Sequence, residues 1–258
     1  MLAIDLGGAW AFLRFFVPGQ DDVSGGMTAT AQAIDTEETE GFAVIELFTS
    51  EGCSSCPSAD KLLAEIHQRY GDEEVYPLSF HVDYWNRLGW KDPFSQKAFS
   101  DRQRNYSRIL NDRVYTPMMV FNGQKALVGS RTQEVYHGLR QALETQPQAT
   151  ISLSAPEWKE KTLKFSFSVS GIASGDVVHL ALVQRSATVE VPRGENTGRT
   201  LHHANVVRAF SSYSLAERQS GLQLFTLPEA VGSEEFSIVA YVQDFDSAEI
   251  KGATRMAL

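Results

Sequence analysis

An α/β domain carrying a helical insert, followed by an antiparallel β-sandwich-like domain, is the architecture that this 258-residue sequence predicts. Three observations point to it. Strand-like and helix-like segments alternate from Phe42 to about Gln146. From Thr150 onward the apolar pattern switches to period two. Between the first strand and the first helix sits a turn holding both cysteines of the chain.

Taken in order, residues 42–48 (FAVIELF) form a compact apolar run, read as a strand buried on both faces apart from Glu46. Ala59, Leu62, Leu63, Ile66 and Tyr70 then fall on one helical stripe, with Gly71 as its stop. Residues 75–82 read as a second strand. An irregular stretch rich in Trp, Gly and Pro follows, then a helix at about 95–110. Residues 118–121 and 125–128 flank Asn122-Gly123, a turn pair favoured in tight hairpins. Ser130 and Gln133 make a capping-box pattern before Val135, Leu139, Ala142 and Leu143, and Pro147 ends that helix. Leu163, Phe165, Phe167 and Val169 alternate with polar neighbours, as on a half-buried strand, and similar strands are expected at 177–184, 201–209, 222–227, 236–243 and 250–257. The predicted organisation is a flexible or processed leader at 1–38, a first domain at 39–147 with its insert at about 84–115, and a β-sandwich-like domain at 148–258.

Hydrophobic residues at 43% and charged residues at 21% are ordinary for a globular chain, which excludes disorder throughout. A formal charge of −9 with no basic cluster disfavours nucleic acid as a partner. No run reaches the ~18 apolar residues that a membrane span needs. Residues 9–17 are a short apolar stretch and Ala31-Gln32-Ala33 resembles an export cleavage site, while Asp5 and Arg14 argue against a signal peptide. A periplasmic or otherwise exported location is favoured over a cytoplasmic one.

Cys53 and Cys56 carry the chemistry. At a helix N-terminus, unpaired backbone N–H groups and the macrodipole stabilise a thiolate. Cys53, at the turn, is expected to be solvent-accessible and to act as the nucleophile. Cys56, one turn later and deeper, is expected to resolve the mixed disulfide. The hydroxyls of Ser54 and Ser55 can donate to sulfur, whereas Glu51, if charged nearby, raises the thiol pKa. At the end of the second strand, His81 and Asp83 point to one face. Two readings of them stay open, a proton relay or substrate contact on the one hand and a polar network that holds the insert on the other.

The segment ELFTSEGCSSCP, with Thr116-Pro117 ahead of a strand and the Asn-Gly hairpin, resembles the thioredoxin superfamily. The segments LFTSEGCSSCPSAD, FHVDYWNRLGWKDPFS, VYTPMMVFNG and GENTGRTLHHANVVRAF resemble, more narrowly, a bacterial family of often exported thioredoxin-like proteins. That family has an all-β C-terminal half and carries a domain-of-unknown-function label; the resemblance covers residues 42–258. It implies that the first domain is thioredoxin-like. It also implies that Pro117 is a cis-proline packing on the disulfide, with Thr116 before it in the substrate-docking element. Thioredoxins keep a buried acid on the first strand as a proton shuttle, and Glu46 is the candidate, although its spacing from Cys53 reverses its facing and favours an ion pair or an exposed strand end.

The expected function is therefore thiol–disulfide exchange by Cys53 and Cys56 with protein thiols or disulfides and a redox partner, with no cofactor and no resident metal. Two alternatives stand beside it. One is a copper(I) carrier using the same cysteines with His81 as a third ligand, although no Met-rich or His-rich segment accompanies them. The other is a non-catalytic interaction module. Arg102, Arg104 and Arg108 read as a solvated helix face, and His202 and His203 as opposite faces of a structural hairpin.

Overall fold

The apolar run after Phe42 is strand β1 (Ala43–Thr49), buried at every position. In this computed structural model, residues 41–71, 73–228 and 235–258 are described; the leader expected at 1–38 lies outside them. The helical stripe becomes α1 (Pro57–Tyr70), with Cys56 as its N-cap and Pro57 in its first turn. Proline fits there because the N–H it lacks has no intrahelical acceptor. Strand β2 (Val75–His81) returns parallel to β1 and sets His81 opposite Thr49, so both strand ends reach the cysteine turn.

Beyond a 3-10 turn (Asn86–Leu88) come α2 (Lys97–Ile109), β3 (Met118–Phe121) and β4 (Lys125–Val128). Asn122 and Gly123 close that hairpin at φ of 43° and 70°. At Gly123 the geometry excludes a side chain, because a Cβ would meet the Ala248 carbonyl oxygen at 1.7 Å. Helix α3 (Thr132–Ala142) starts from Arg131 as N-cap with no side-chain capping bond, one residue later than the Ser130 pattern predicts. The remaining strands are β5 (Thr150–Leu153), β6 (Glu157–Lys159), β7 (Thr162–Ser170), β8 (Asp176–Glu190), β9 (Thr200–Ser214), β10 (Ser220–Thr226), β11 (Phe236–Asp244) and β12 (Ile250–Ala257).

This architecture overturns the predicted one, a thioredoxin-like α/β domain with a helical insert followed by an antiparallel β-sandwich-like domain. Among the described residues twelve strands stand against three α-helices, and eight of those strands form one mixed sheet in the order β12-β11-β8-β9-β2-β1-β3-β4. The join is β9 alongside β2, parallel, with Ser79 opposite Val206. The physical reason lies at that edge. All of β2 is buried, and its outer backbone groups need a partner that an isolated first half does not contain. β9 supplies it, backed by β8, and these two strands run for 15 residues each, well beyond the segments that alternation alone marks.

Nor is α2 an appended insert. Its Phe99 and Tyr106 pack in one core with Phe48, Phe80 and Val120 on one side and Ala181, Val183, Val207 and Tyr241 on the other. Helices α1 and α3 cover the opposite face, where Leu62, Leu63, Ile66, Val135 and Leu139 meet Ile45, Leu47 and Met119. A smaller sheet, β10-β7-β5 with β6 on β7, lays Leu163, Phe165 and Phe167 over Val178, Leu180, Ile238 and Ala240. From Gly41 on, the described chain belongs to one compact unit, Ile34–Leu258. No helix among the described residues is long and apolar enough to cross a membrane.

Candidate functional site

Cys53 and Cys56 are joined in a disulfide at the head of α1, with their Cα atoms 5.4 Å apart. The turn is closed locally: Cys53 N–H donates to Ser50 O and Cys56 N–H to Cys53 O, both at 3.2 Å. Cys53 Sγ accepts a hydrogen bond from the Thr116 hydroxyl at 3.2 Å and lies 3.4 Å from Ser55 Oγ. Thr116 in turn accepts from Trp85 Nε1 at 2.9 Å. The Thr116–Pro117 peptide is cis. Thr116 and Pro117, far away in sequence, are thus brought against the cysteine turn.

Cys53 is not solvent-accessible, contrary to expectation: it is 1% exposed and Cys56 0%. The cover comes from the second half of the chain. Residues 191–199, which link β8 to β9, fold over the cysteine turn. Asn196, itself fully buried, donates from Nδ2 to Glu51 O at 2.8 Å and to Cys53 O at 3.0 Å. Arg199 holds the Asn196 side-chain oxygen at 2.9 Å. The Glu195 carboxylate accepts from Ser54 N–H at 3.0 Å, and the Ser54 hydroxyl together with this N–H keeps its pKa below the usual range. Gly52 has no room for a side chain, since a Cβ would lie 2.9 Å from Trp85 Cβ.

Beside the disulfide, on the α1 side of the sheet, lies a buried polar cluster. His81 Nδ1 and Asp92 Oδ2 are 2.7 Å apart, and Asp92 also accepts the N–H groups of Glu51 and Phe94. Burial alone would raise the Asp92 carboxyl, but the His81 imidazole and these N–H donors hold it below its ordinary value. The His203 ring, entering from β9, stands edge-on to His81 with centroids 4.7 Å apart. Its Nε2 is 3.6 Å from Glu51 Oε1 and its Nδ1 3.8 Å from Asp60 Oδ2. Burial disfavours the imidazolium, yet the two carboxylates outweigh it and push His203 up to about 10. The other Glu51 oxygen accepts from Trp90 Nε1 at 2.5 Å.

The three residues considered for a proton relay are dispersed. His81 is in this cluster. Asp83 is turned to the α2 helix, where Ser100 Oγ donates to its carboxylate at 2.5 Å. Glu46 faces the other side of the sheet, as its spacing indicated. Arg102 binds it from Nε at 3.0 Å and Nη2 at 2.7 Å, and the Tyr241 hydroxyl also donates to it. Arg102 is therefore buried rather than solvated, its guanidinium lying over the rings of Phe80, Tyr106, Phe210 and Tyr241. Arg104 does lie at the surface, paired with Asp101.

Sequence reasoning missed Asp60, Asp92, Asn196 and the inward role of His203. Asp60 was legible in principle, as an acid four residues after Cys56 on the apolar stripe of α1. Nothing local marks the others. Among the described residues no group of three or more His, Cys, Asp or Glu side chains is arranged to hold a metal ion.

A protein family described as "Protein of unknown function (DUF1223)" matches residues 44–243. The chain belongs to that family. A structure from Agrobacterium tumefaciens, solved by structural genomics, is 28% identical over 83% of this chain and 93% of its own, with a TM-score of 0.60. HBP35 of Porphyromonas gingivalis is 16% identical over 84% of this chain and 75% of its own, with a TM-score of 0.57, and shares the fold. No curated protein matches.

Proposed function

We propose that this DUF1223 protein exchanges thiols and disulfides with protein substrates and a redox partner through Cys53 and Cys56. The observation that carries the reading is a cysteine pair bridged at a helix N-terminus, with the Thr116 hydroxyl on the sulfur of Cys53 next to Pro117. Kinship with the thioredoxin superfamily is proposed on this site alone. The helix N-terminus favours a thiolate at Cys53 on reduction, and the Thr116 hydroxyl adds a donor to it. Cys53 is the nucleophile, Cys56 the resolving thiol, and Thr116 with Pro117 the surface against which a substrate strand docks. An exported location, outside the reducing cytosol, suits a pair held as a disulfide.

The buried disulfide sets a condition on this chemistry: a substrate reaches Cys53 only when residues 191–199 lift from the turn. Copper(I) binding gains no support from the geometry, because both sulfurs are joined in the Cys53–Cys56 disulfide and among the described residues no group of three or more His, Cys, Asp or Glu side chains is arranged to hold a metal ion. The test is a Cys56→Ser variant, which leaves Cys53 unable to be resolved. Mixed disulfides trapped through Cys53 in the native host and identified by mass spectrometry are the expected result. An equal yield from a Cys53→Ser, Cys56→Ser control would overturn the reading.

A further inference from the structure

A cavity of about 550 Å³ opens at the end of α1 remote from the cysteines. Cys56 caps the start of that helix and Arg69 lies in its last turn. At 1.5 Å per residue the helix sets the two about 20 Å apart. Strands β2, β8, β9, β11 and β12 supply the remaining walls, so the cavity is framed by the main sheet rather than by loops. The exchange chemistry makes no use of it.

Its charge runs against that of the molecule. The whole chain carries −9, yet Arg69, Arg185 and Arg255 line the cavity against one carboxylate, Glu73. Arg255 is fixed in place, because its guanidinium donates to Gly71 O and Val75 O and lies over the Tyr76 ring. By holding a carbonyl at the C-terminal end of α1 it offsets the negative end of the helix dipole, which would repel an anion. Arg69 rests over the ring of Tyr70. Arg185 is exposed on β8 and forms no ion pair among the described residues. Guanidinium forks match the oxygens of carboxylates and phosphates.

Two more side chains distinguish this cavity from a merely solvated basic patch. Asn205 and Ser237 line it at 4% and 5% exposure, and neither side chain has a hydrogen-bond partner among the described residues. Polar groups so buried are nearly always paired. With no partner in the fold, their hydrogen bonds are left for an occupant of the cavity. Asn205 also stands at φ 51°, in the left-handed region, within strand β9. Backbone strain of this kind gathers at ligand sites. Asn205 and Arg185 occupy the same rung of the β8–β9 ladder, between the pairs Gln184–Val206 and Ser186–Ala204.

We propose that this cavity binds a small organic dianion, a phosphomonoester or a dicarboxylate. Its charged oxygens lie on Arg69, Arg185 and Arg255, its polar atoms meet Asn205 and Ser237, and its carbon body rests on Val183 and Val239. An excess of two positive charges matches a dianion, and the volume is that of a small-molecule site. The site is independent of the exchange reading.

The test titrates the full-length chain with phenyl phosphate and, separately, with succinate, at constant ionic strength. Calorimetry measures affinity and nitrogen-15 NMR follows the side-chain amide of Asn205. Saturable binding with a Kd of about 1 mM or tighter, accompanied by a shift of that amide, is expected for at least one probe. The tighter of the two tells a phosphoryl from a carboxylate ligand. Arg185→Gln should weaken binding about tenfold, the loss of one charge-assisted contact. Asn205→Gly, which keeps the left-handed backbone and removes the amide, should weaken it several-fold. No saturation by either probe overturns the proposal. So does an equal amide shift with sodium chloride, or an affinity that both variants leave unchanged.

Discussion

Two buried ionic clusters flank the central sheet, one on each face, and they are built in opposite ways. On the α2 side, Glu46 and Arg102 are saturated: the guanidinium donates to both carboxylate oxygens, to Tyr106 and to Gln243, and four aromatic rings surround it. Gln243 itself donates to Tyr106 and to Ala248 O. On the α1 side, Glu51, Asp60 and His203 approach without hydrogen-bonding one another. The first cluster ties Glu46 of β1 to Tyr241 and Gln243 of β11 and so fastens the halves together. The second sits next to a disulfide. Saturated polar networks rigidify a core, whereas unsaturated ones are tolerated where chemistry needs a group free to change its protonation.

That contrast is open to attack by mutation. The largest effect is expected from Arg102→Ala, which leaves Glu46 buried and unpaired. A loss of about 3–5 kcal/mol in urea denaturation is expected, and a loss under 1 kcal/mol would remove the idea that this pair fastens the fold. The next is a pH effect of defined sign. Folded His203 keeps its proton up to about pH 10, while the unfolded imidazole releases it near 6.5. Between those values the folded state binds more protons. The stabilisation is therefore full below about 6.5 and is lost as pH rises through about 10. Denaturation midpoints measured from pH 6 to 10 should fall in the unaltered chain and fall less in His203→Gln; parallel curves would assign the effect elsewhere.

Smaller changes probe the cover of the site. Asn196→Ala removes two buried hydrogen bonds to the cysteine turn, at a cost of about 1–3 kcal/mol. Reduction of Cys53–Cys56 by dithiothreitol, followed by alkylation, should become several-fold faster; an unchanged rate would mean that residues 191–199 do not limit access. The smallest effect is expected from Thr116→Val, which deprives Cys53 Sγ of a donor and Trp85 Nε1 of an acceptor, for about 1 kcal/mol. Thermal denaturation with the disulfide intact measures it.

Local features were legible in the sequence and long-range ones were not. The cysteine turn, the amphipathic stripe of α1 with Gly71 after it, and the hairpin around Asn122-Gly123 all rest on contacts within a few residues, and they are found where the pattern puts them. Strand β7 follows its alternation from Thr162 to Ser170. The side-by-side placement of β2 and β9 is invisible to periodicity, because alternation marks a strand but not its neighbour. That one pairing overturned the predicted architecture. It also brought residues 191–199 over the cysteines and His203 into the cluster. Arg102 was misread for a related reason. A charged residue on a helix is normally solvated, and only the pairing of β11 with β8 brings Tyr241 and Gln243 to meet it.

The parallel seam between β2 and β9 also bears on how the chain can be cut. A fragment ending before Thr150 would lose the strand that screens β2 and the segment that lies over Cys53. It would expose an unpaired strand flank that is buried along its whole length in the intact chain, the kind of template on which chains stack into insoluble assemblies. Recombinant work on the cysteine turn alone would then report on an adhesive remnant with a bared sulfur, and its reactivity would say little about the intact molecule.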